Sequence, residues 1–542
     1  MRKQLLSIFT LLIPIITFAQ EQTTSEKIDA VFSKYTGWFV EGIFYEIPFS
    51  ETFQIPWVLI VLIGGALFFT IYFKFINITG FSKAIQVVRG KYEDIEKHGA
   101  EELYGADGIA MSDEGDIVDT IRDESADGEV SHFQALTAAL SATVGLGNIA
   151  GVAVALSIGG PGATFWMIVA GLLGMASKFA ECTLGVKYRD VGPDGTVYGG
   201  PMYYLKKGLK EKGLGGLGKV LAVVFAIFVI GGSFGGGNMF QANQAAAQFV
   251  QLFDIESANA GMFFGIGMAV LVAVVIIGGI KRIASVTEKI VPFMAGIYVL
   301  AALIILGANF TLIDDAFGLI FKGAFSGLGI AGGLIGVMIQ GIRRGAFSNE
   351  AGVGSAAIAH SAVRTKYPAS EGIVALLEPF VDTVVICTMT ALVIIITNFE
   401  SSFMEYGTPI TEGVELTATA FDTVIPHFSI VLTIAVILFA FSTMISWSYY
   451  GMQGWKFLFG KGRITDLVYK FLFLMFVIVG ASISLGSVID FSDAMIFAMV
   501  VPNIIGVILL SPKIKKELKK YNKAISKKHN ALEDGATDVN NL

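Results

Sequence analysis

Side chains and backbone that could recognise a small charged molecule are concentrated in a few short stretches. The first reads Ala142-Thr143-Val-Gly145-Leu-Gly147-Asn148-Ile-Ala-Gly151, the second Gly341-Ile-Arg343-Arg344-Gly345-Ala-Phe347-Ser348-Asn349-Glu350-Ala-Gly352-Val-Gly354. Both are apolar segments interrupted by glycine. Breaking a helix in lipid frees backbone N–H and C=O groups, each costing several kcal/mol unless something binds it. Freed amides at the positive end of a half-helix suit a carboxylate, and freed carbonyls such as those of Ala142 and Gly145 suit a small cation. The Asn148 amide can donate and accept. Asn238 and Gln241, three apart on one helical face, form another amide-rich patch inside an apolar run, where such groups require a partner or a cavity. A hydroxyl group follows at Ser442, Thr443 and Ser446, with Ser442 and Ser446 on one face, and Trp447 is next to it. This is the chemistry of non-covalent recognition of a carboxylate and a small cation.

Several other signals fail. Gly213 to Lys219 nearly spells a phosphate loop, but Val220 stands where Ser or Thr is needed and no strand precedes it. Gly327-Leu-Gly329-Ile-Ala-Gly332 opens a membrane helix, not a strand–turn–helix. The five histidines are scattered without metal-ligand spacing, and the two cysteines, Cys182 and Cys387, cannot build a disulfide scaffold. Neither an enzyme nor an organic cofactor is expected, and no basic stripe points to nucleic acid.

The elements that must position these groups are membrane helices. Hydrophobic residues make up 54% of the 542 and charged ones only 15%, and the mean hydropathy is +0.68. Glycine contributes 63 residues, which suits close helix packing and opened backbone rather than water-soluble helices. Apolar runs fall at about 56–76, 133–155, 163–186, 220–248, 261–280, 290–307, 327–362, 372–397, 427–452, 465–486 and 490–510. Residues 1–19 have the basic start and short apolar core of a signal peptide, with Thr17-Phe18-Ala19 as cleavage site. Basic residues collect in alternate connections and in the Lys-rich tail, while the intervening connections hold almost none, only Lys322. Eleven spans, with the N-terminus outside after signal cleavage and the C-terminus cytoplasmic, satisfy the positive-inside rule in the plasma (inner) membrane.

The expected organisation is a signal peptide (1–19), an extracytoplasmic polar leader (20–55), a peripheral transmembrane helix (56–76) and a cytoplasmic loop with an acidic insertion (77–132). Two halves, 133–307 and 327–511, and a basic cytoplasmic tail (512–542) follow. Each half holds five spans, an odd number, so the halves are inverted relative to each other. Broken segments opening both halves point to a midplane transport site.

The stretch Ser131 to Gly151 resembles the alanine/glycine:cation symporter family, the sodium:alanine symporters. So do Gly159-Gly-Pro-Gly-Ala-Thr-Phe-Trp166, Gly199-Gly-Pro-Met-Tyr-Tyr204, Gly235-Gly-Gly-Asn-Met-Phe-Gln-Ala-Asn243 and the run from Gln340 to His360. The signal with its leader and the acidic insertion depart from the compact family pattern. The resemblance covers roughly 56–510 and implies an all-α, LeuT-type fold: a 5+5 inverted repeat with one extra N-terminal helix. It implies sodium-coupled symport of alanine, glycine or similar small amino acids by alternating access. The expected substrate contacts are Thr143, Gly145, Gly147, Asn148, Gln241, Phe347, Ser348, Asn349, Gly352 and Trp447. The expected sodium ligands are Ala142, Gly145, Ser442, Thr443 and Ser446. A proton-coupled permease for another small solute, or a nutrient-sensing membrane receptor, are the alternatives; a channel lacks the continuous polar pore it would need.

Overall fold

The computed structural model describes residues 24–50, 53–93, 95, 130–192, 195–257, 259–326, 333–408 and 413–539. The signal segment 1–19 and nearly all of the acidic insertion lie outside these residues.

The described leader is an amphipathic helix, α1 (Thr24–Ile43), followed by an antiparallel hairpin of β1 (Glu46–Ser50) and β2 (Phe53–Pro56). Pro56 ends the strand and starts α2 (Trp57–Tyr72), an almost wholly apolar helix. Among the described residues, every later apolar run also falls on a helix or a broken helix. They are α3 (His132–Thr143) with α4 (Val152–Gly159), α5 (Gly162–Lys187), α6 (Gly215–Phe234) with α7 (Phe240–Leu252), α8 (Ala260–Ile276) and α9 (Gly279–Ala308). The second half holds α10 (Gly333–Asn349) with α11 (Ala356–His360), α12 (Pro368–Val374) leading into α13 (Thr388–Ser401), α14 (Phe428–Phe459), α15 (Arg463–Gly480) and α16 (Leu485–Val539). Among the described residues, six helices are long and apolar enough to cross a membrane, or seven if the bent pair α3–α4 counts as one span. Two shorter apolar helices, α2 and α8, add to these.

Three of the broken helices share one device. Between α3 and α4 the chain makes a π-helical turn at Gly147–Gly151, between α6 and α7 at Gly235–Met239, and ahead of α13 at Phe380–Cys387. A π turn inserts a residue into the helical ladder, redirects side chains and is common at functional sites. The α3 helix begins on a capping box, with Ser131 accepting from the Gln134 amide and the Gln134 side chain from the Ser131 amide. At its other end Val144 adopts extended ψ, and the axis turns by 52° into the next half-helix.

The second break lies later than its glycines suggest. The α10 helix runs unbroken through Gly341 and Gly345 to Asn349. Those two glycines serve close packing: a Cβ on Gly341 would stand 2.3 Å from the Ala163 carbonyl oxygen, and one on Gly345 3.2 Å from Met167 Cα. The chain opens only at Glu350, with φ 55°, followed by Gly352 (φ 83°) and Gly354 (φ 94°). Left-handed φ is unfavourable for a residue bearing Cβ, and two hydrogen bonds hold Glu350 in place: Ser355 donates to its Oε2, and Trp447 Nε1 to its Oε1 at 3.0 Å.

Candidate functional site

The two breaks meet. Asn148, in the π turn after α3, reaches across to the last turn of α10. Its Nδ2 lies 3.0 Å from Ser348 Oγ, 2.6 Å from Asp382 Oδ1 and 3.1 Å from the Asp382 carbonyl. Its Oδ1 turns back to accept from the Gly145 amide at 2.8 Å, filling one group that the break leaves open. Ser348 donates to Asp382 Oδ2 at 2.8 Å, and Thr383 to the same oxygen at 2.7 Å. Asn349 donates to Thr383 at 2.9 Å and accepts from the Ala351 amide at 2.9 Å, which caps the broken helix. All these side chains are buried.

Asp382 was not among the expected site residues. Its carboxylate accepts from an amide and two hydroxyls, and among the described residues no cationic side chain stands within ion-pair distance of it. Cys387, at the end of the same π turn, approaches both Asn148 and Ser348 at 3.4 Å. The sequence offered one signal for Asp382: an ionisable residue inside an apolar run, which in a membrane marks a functional position.

Gln241 closes another side. Its Oε1 accepts from the freed Leu146 amide at 3.2 Å, and its Nε2 donates to the Gly236 carbonyl in the π turn beside it, at 2.9 Å. One side chain thus satisfies open backbone at two breaks. Phe347 packs beside the first break: a Cβ on Gly147 would sit 3.6 Å from its ring, and Phe240 meets it edge-on with centroids 5.5 Å apart. The Arg344 guanidinium lies over the Phe347 ring at 5.2 Å and pairs with buried Asp493 near the start of α16. Arg343 joins the same carboxylate at 2.7 Å, so the pair of arginines ties α10 to α16 above the site.

The hydroxyl cluster faces α3 one turn below. Thr443 donates to the Ser141 carbonyl at 3.0 Å, Ser141 to the Ser442 carbonyl at 2.8 Å, and Ser446 to Ser141 Oγ at 2.9 Å. Ser141, next to Ala142, is the α3 residue that the sequence reading passed over. Five neutral oxygens from two helices converge there: the hydroxyls of Ser141, Thr443 and Ser446 and the carbonyls of Ser141 and Ser442. Gly145 fits against this cluster because it lacks a side chain; a Cβ there would stand 2.5 Å from Thr443 Oγ1 and 3.2 Å from Gln241 Oε1. The Gly145 carbonyl accepts from the Asn148 amide at 3.2 Å, while Ser442 Oγ bonds back to Phe439 O at 3.0 Å.

Three expected contacts meet other parts of the protein. Thr143 bonds back to Ala139 O within its own helix at 3.3 Å. Gly352 faces α2, where a Cβ would stand 2.9 Å from Leu62, and its carbonyl accepts from Asn503 at 2.9 Å. Trp447 packs against Gly237, and its indole N–H holds Glu350 at the second break.

The model of the sodium:alanine symporter family matches residues 111–534. The sodium/alanine symporter AgcS of Methanococcus maripaludis is 40% identical over 468 residues, covering 86% of this chain and 94% of that one. The probable sodium/glutamine symporter GlnT of Bacillus subtilis is 34% identical over 434 residues, covering 76% and 86%. Among solved structures, MhsT in complex with L-phenylalanine superposes with a TM-score of 0.50 at 15% identity, over 71% of this chain and 89% of that one. At that identity the likeness concerns the LeuT-type fold alone.

Proposed function

The chain belongs to the sodium:alanine symporter family, and on that premise we propose that it couples sodium entry to uptake of alanine, glycine or a similar small amino acid by alternating access. The observation that carries this reading is the buried Asp382 carboxylate, held by Asn148, Ser348 and Thr383 without a cationic side chain. A charge buried without a partner costs several kcal/mol. A transported cation, either sodium or the substrate ammonium, supplies the missing charge. The freed backbone around Gly145 to Gly147 provides the complementary pole for a substrate carboxylate, and Phe347 and Gln241 bound the room for its side chain. The Ser141, Thr443 and Ser446 oxygens, with the Ser442 carbonyl, form a second hard, neutral cradle suited to sodium. Thr143, Gly352 and Trp447 support the site from behind.

The same reading has eleven spans in two inverted halves of five, 133–307 and 327–511, preceded by the peripheral helix. The N-terminus lies outside after removal of residues 1–19, and the Lys-rich tail lies in the cytoplasm. The test is labelled alanine uptake into liposomes under an inward sodium gradient, compared with an equal potassium gradient. Accumulation with sodium only is the expected result. Equal accumulation under both gradients removes sodium coupling, and a lack of uptake of either alanine or glycine removes the substrate class.

A further inference from the structure

At the end of the molecule that the proposed topology puts in the cytoplasm, a cavity of about 380 Å³ lies between the α8–α9 turn, the last turns of α14 and the first turns of α15. The turn is tight because Gly279 takes φ 67°, a conformation that glycine adopts without the cost a Cβ brings. Gly279, Lys281 and Ile283, from the start of α9, line the cavity. The charge of the lining is positive. Lys456 and Lys470 share one carboxylate, Asp466, at 3.2 and 2.7 Å. Among the described residues no carboxylate lies within ion-pair distance of Lys281. Three ammonium groups thus share the lining with one carboxylate. The start of α9 adds backbone amides without intrahelical partners and the positive end of the helix dipole.

Gln453, on α14, supplies a second kind of group to the same lining. It is buried, and its Nε2 donates to the Val197 carbonyl at 3.3 Å. Its Oε1 has no hydrogen-bond partner among the described residues, and a buried acceptor left unpaired is costly. A bare anion does not satisfy it, because a phosphodiester oxygen only accepts; a hydroxyl donates. The remaining wall is apolar, with Ile276, Ile283 and Met452 buried. Ile277, also in the lining, is 69% exposed. Val270 and Val274, both exposed, precede it by seven and three residues, so the three share one face. An apolar lane therefore runs along the outside of α8 to the cavity.

We propose that this cavity binds the headgroup of an anionic phospholipid of the cytoplasmic leaflet, a phosphodiester that carries free hydroxyls, as in phosphatidylglycerol. The phosphate meets Lys281 and the start of α9, where charge-assisted hydrogen bonds form. The headgroup hydroxyls donate to Gln453 Oε1 and to Asp466, and an acyl chain lies along Val270, Val274 and Ile277. Basic pockets between helices on the cytoplasmic side of a membrane are suited to such headgroups. The bound lipid joins the α8–α9 turn to α14 and α15. Gln453 follows Ser446 by seven residues on one face of α14, so the lipid stands two turns toward the cytoplasm from the proposed sodium cradle. The proposal rests on the proposed topology for the leaflet alone, and it requires neither sodium nor alanine.

The experiment is equilibrium binding of acyl-labelled phosphatidylglycerol to the purified protein in detergent, without sodium or alanine, with labelled phosphatidylcholine as the reference. Phosphatidylglycerol should bind about tenfold or more tightly than phosphatidylcholine. Lys281→Gln should weaken it about tenfold, and Gln453→Leu about threefold to tenfold. Lys219→Gln removes an exposed lysine outside the lining and should leave the affinity within about twofold of the parent. Lys281 is itself exposed, so Lys281→Gln carries the test even where Gln453→Leu fails to fold. Equal affinity for the two lipids overturns the proposal. An equal loss in Lys281→Gln and Lys219→Gln also overturns it, as attraction to a basic surface at large. Displacement of the lipid by glycerophosphoglycerol, the headgroup without acyl chains, at concentrations as low as the lipid's own overturns the lipid as occupant. A lack of sodium-driven alanine uptake overturns the symporter reading and leaves the binding result as it stands.

Discussion

Asn148 and Asp382 lie side chain to side chain, Nδ2 to Oδ1 at 2.6 Å, although 234 residues separate them in the chain. One comes from the π turn after α3, the other from the π turn ahead of α13. The Asn148 amide is held in register by its other end, which accepts from Gly145 N. Rotating Asn148 would therefore leave both the first break and the carboxylate short of a partner.

If Asp382 supplies charge to a transported cation, Asp382→Asn keeps the shape of the site but turns one acceptor oxygen into a donor and removes the attraction. Charge-assisted hydrogen bonds are about twice as strong as neutral ones, and the loss of one costs roughly 1.5–3 kcal/mol. The sodium concentration for half-maximal alanine uptake should rise about tenfold to a hundredfold. An unchanged sodium dependence in a folded variant would remove Asp382 from the cation site.

The hydroxyl cluster makes a separate prediction, because Ser446 contributes its side chain while Ser442 contributes its carbonyl. Ser446→Ala should raise the half-saturating sodium concentration by about threefold to tenfold, the loss of one neutral hydrogen-bonding group. Ser442→Ala should change it by less than about twofold, because its hydroxyl bonds back to its own helix. Titrating sodium at saturating alanine compares the two, and equal effects would contradict the placement of the cradle.

Gln241 bridges Leu146 N and Gly236 O, so its truncation opens two breaks at once. Gln241→Ala should weaken alanine affinity by about tenfold or more, since each orphaned buried group costs about 1–3 kcal/mol. Gln241→Glu retains the acceptor for Leu146 but loses the donor to Gly236, and should fall between the parent and Gln241→Ala. Equilibrium binding of labelled alanine at fixed sodium measures both, and parent-like affinity in Gln241→Ala would place this side chain outside the binding site.

The apolar runs were legible because a lipid-spanning helix leaves so strong a compositional mark, and the first break because Gly145 and Gly147 lead into Asn148, whose amide must find partners. The second break was legible only as a region. Gly341 and Gly345 are there for the close approach of α5, and the opening depends on the left-handed Glu350, which no glycine pattern announces. Asp382 and Ser141 escaped for a related reason. Asp382 stands out in sequence as an ionisable residue inside an apolar run, but a π turn shifts side chains off the ordinary helical face, so nothing in the spacing places it against Asn148 and Ser348. Ser141 enters through its carbonyl as well as its hydroxyl, and backbone groups leave no trace in residue type. Thr143, two residues on, has the same chemistry in sequence but turns back on its own helix.

Trp447, an expected substrate contact, is the last test, because its indole is also hydrogen-bonded at the second break. Its indole N–H donates to Glu350, whose left-handed φ starts the second break, and its ring fills the space beside Gly237, where even a Cβ would meet it at 2.2 Å. Trp447→Phe retains most of the ring but removes the donor, leaving a buried carboxylate oxygen unpaired at a cost of about 1–3 kcal/mol. The thermal unfolding midpoint in detergent should drop, and alanine should lose affinity because Ser348 and Asn349 are anchored by the same break. Glu350→Gln in the Trp447→Phe background should recover part of the stability, since a neutral amide buried without that donor is less costly than a carboxylate. If the single variant kept the parent midpoint, Glu350 would be held at the second break by Ser355 alone.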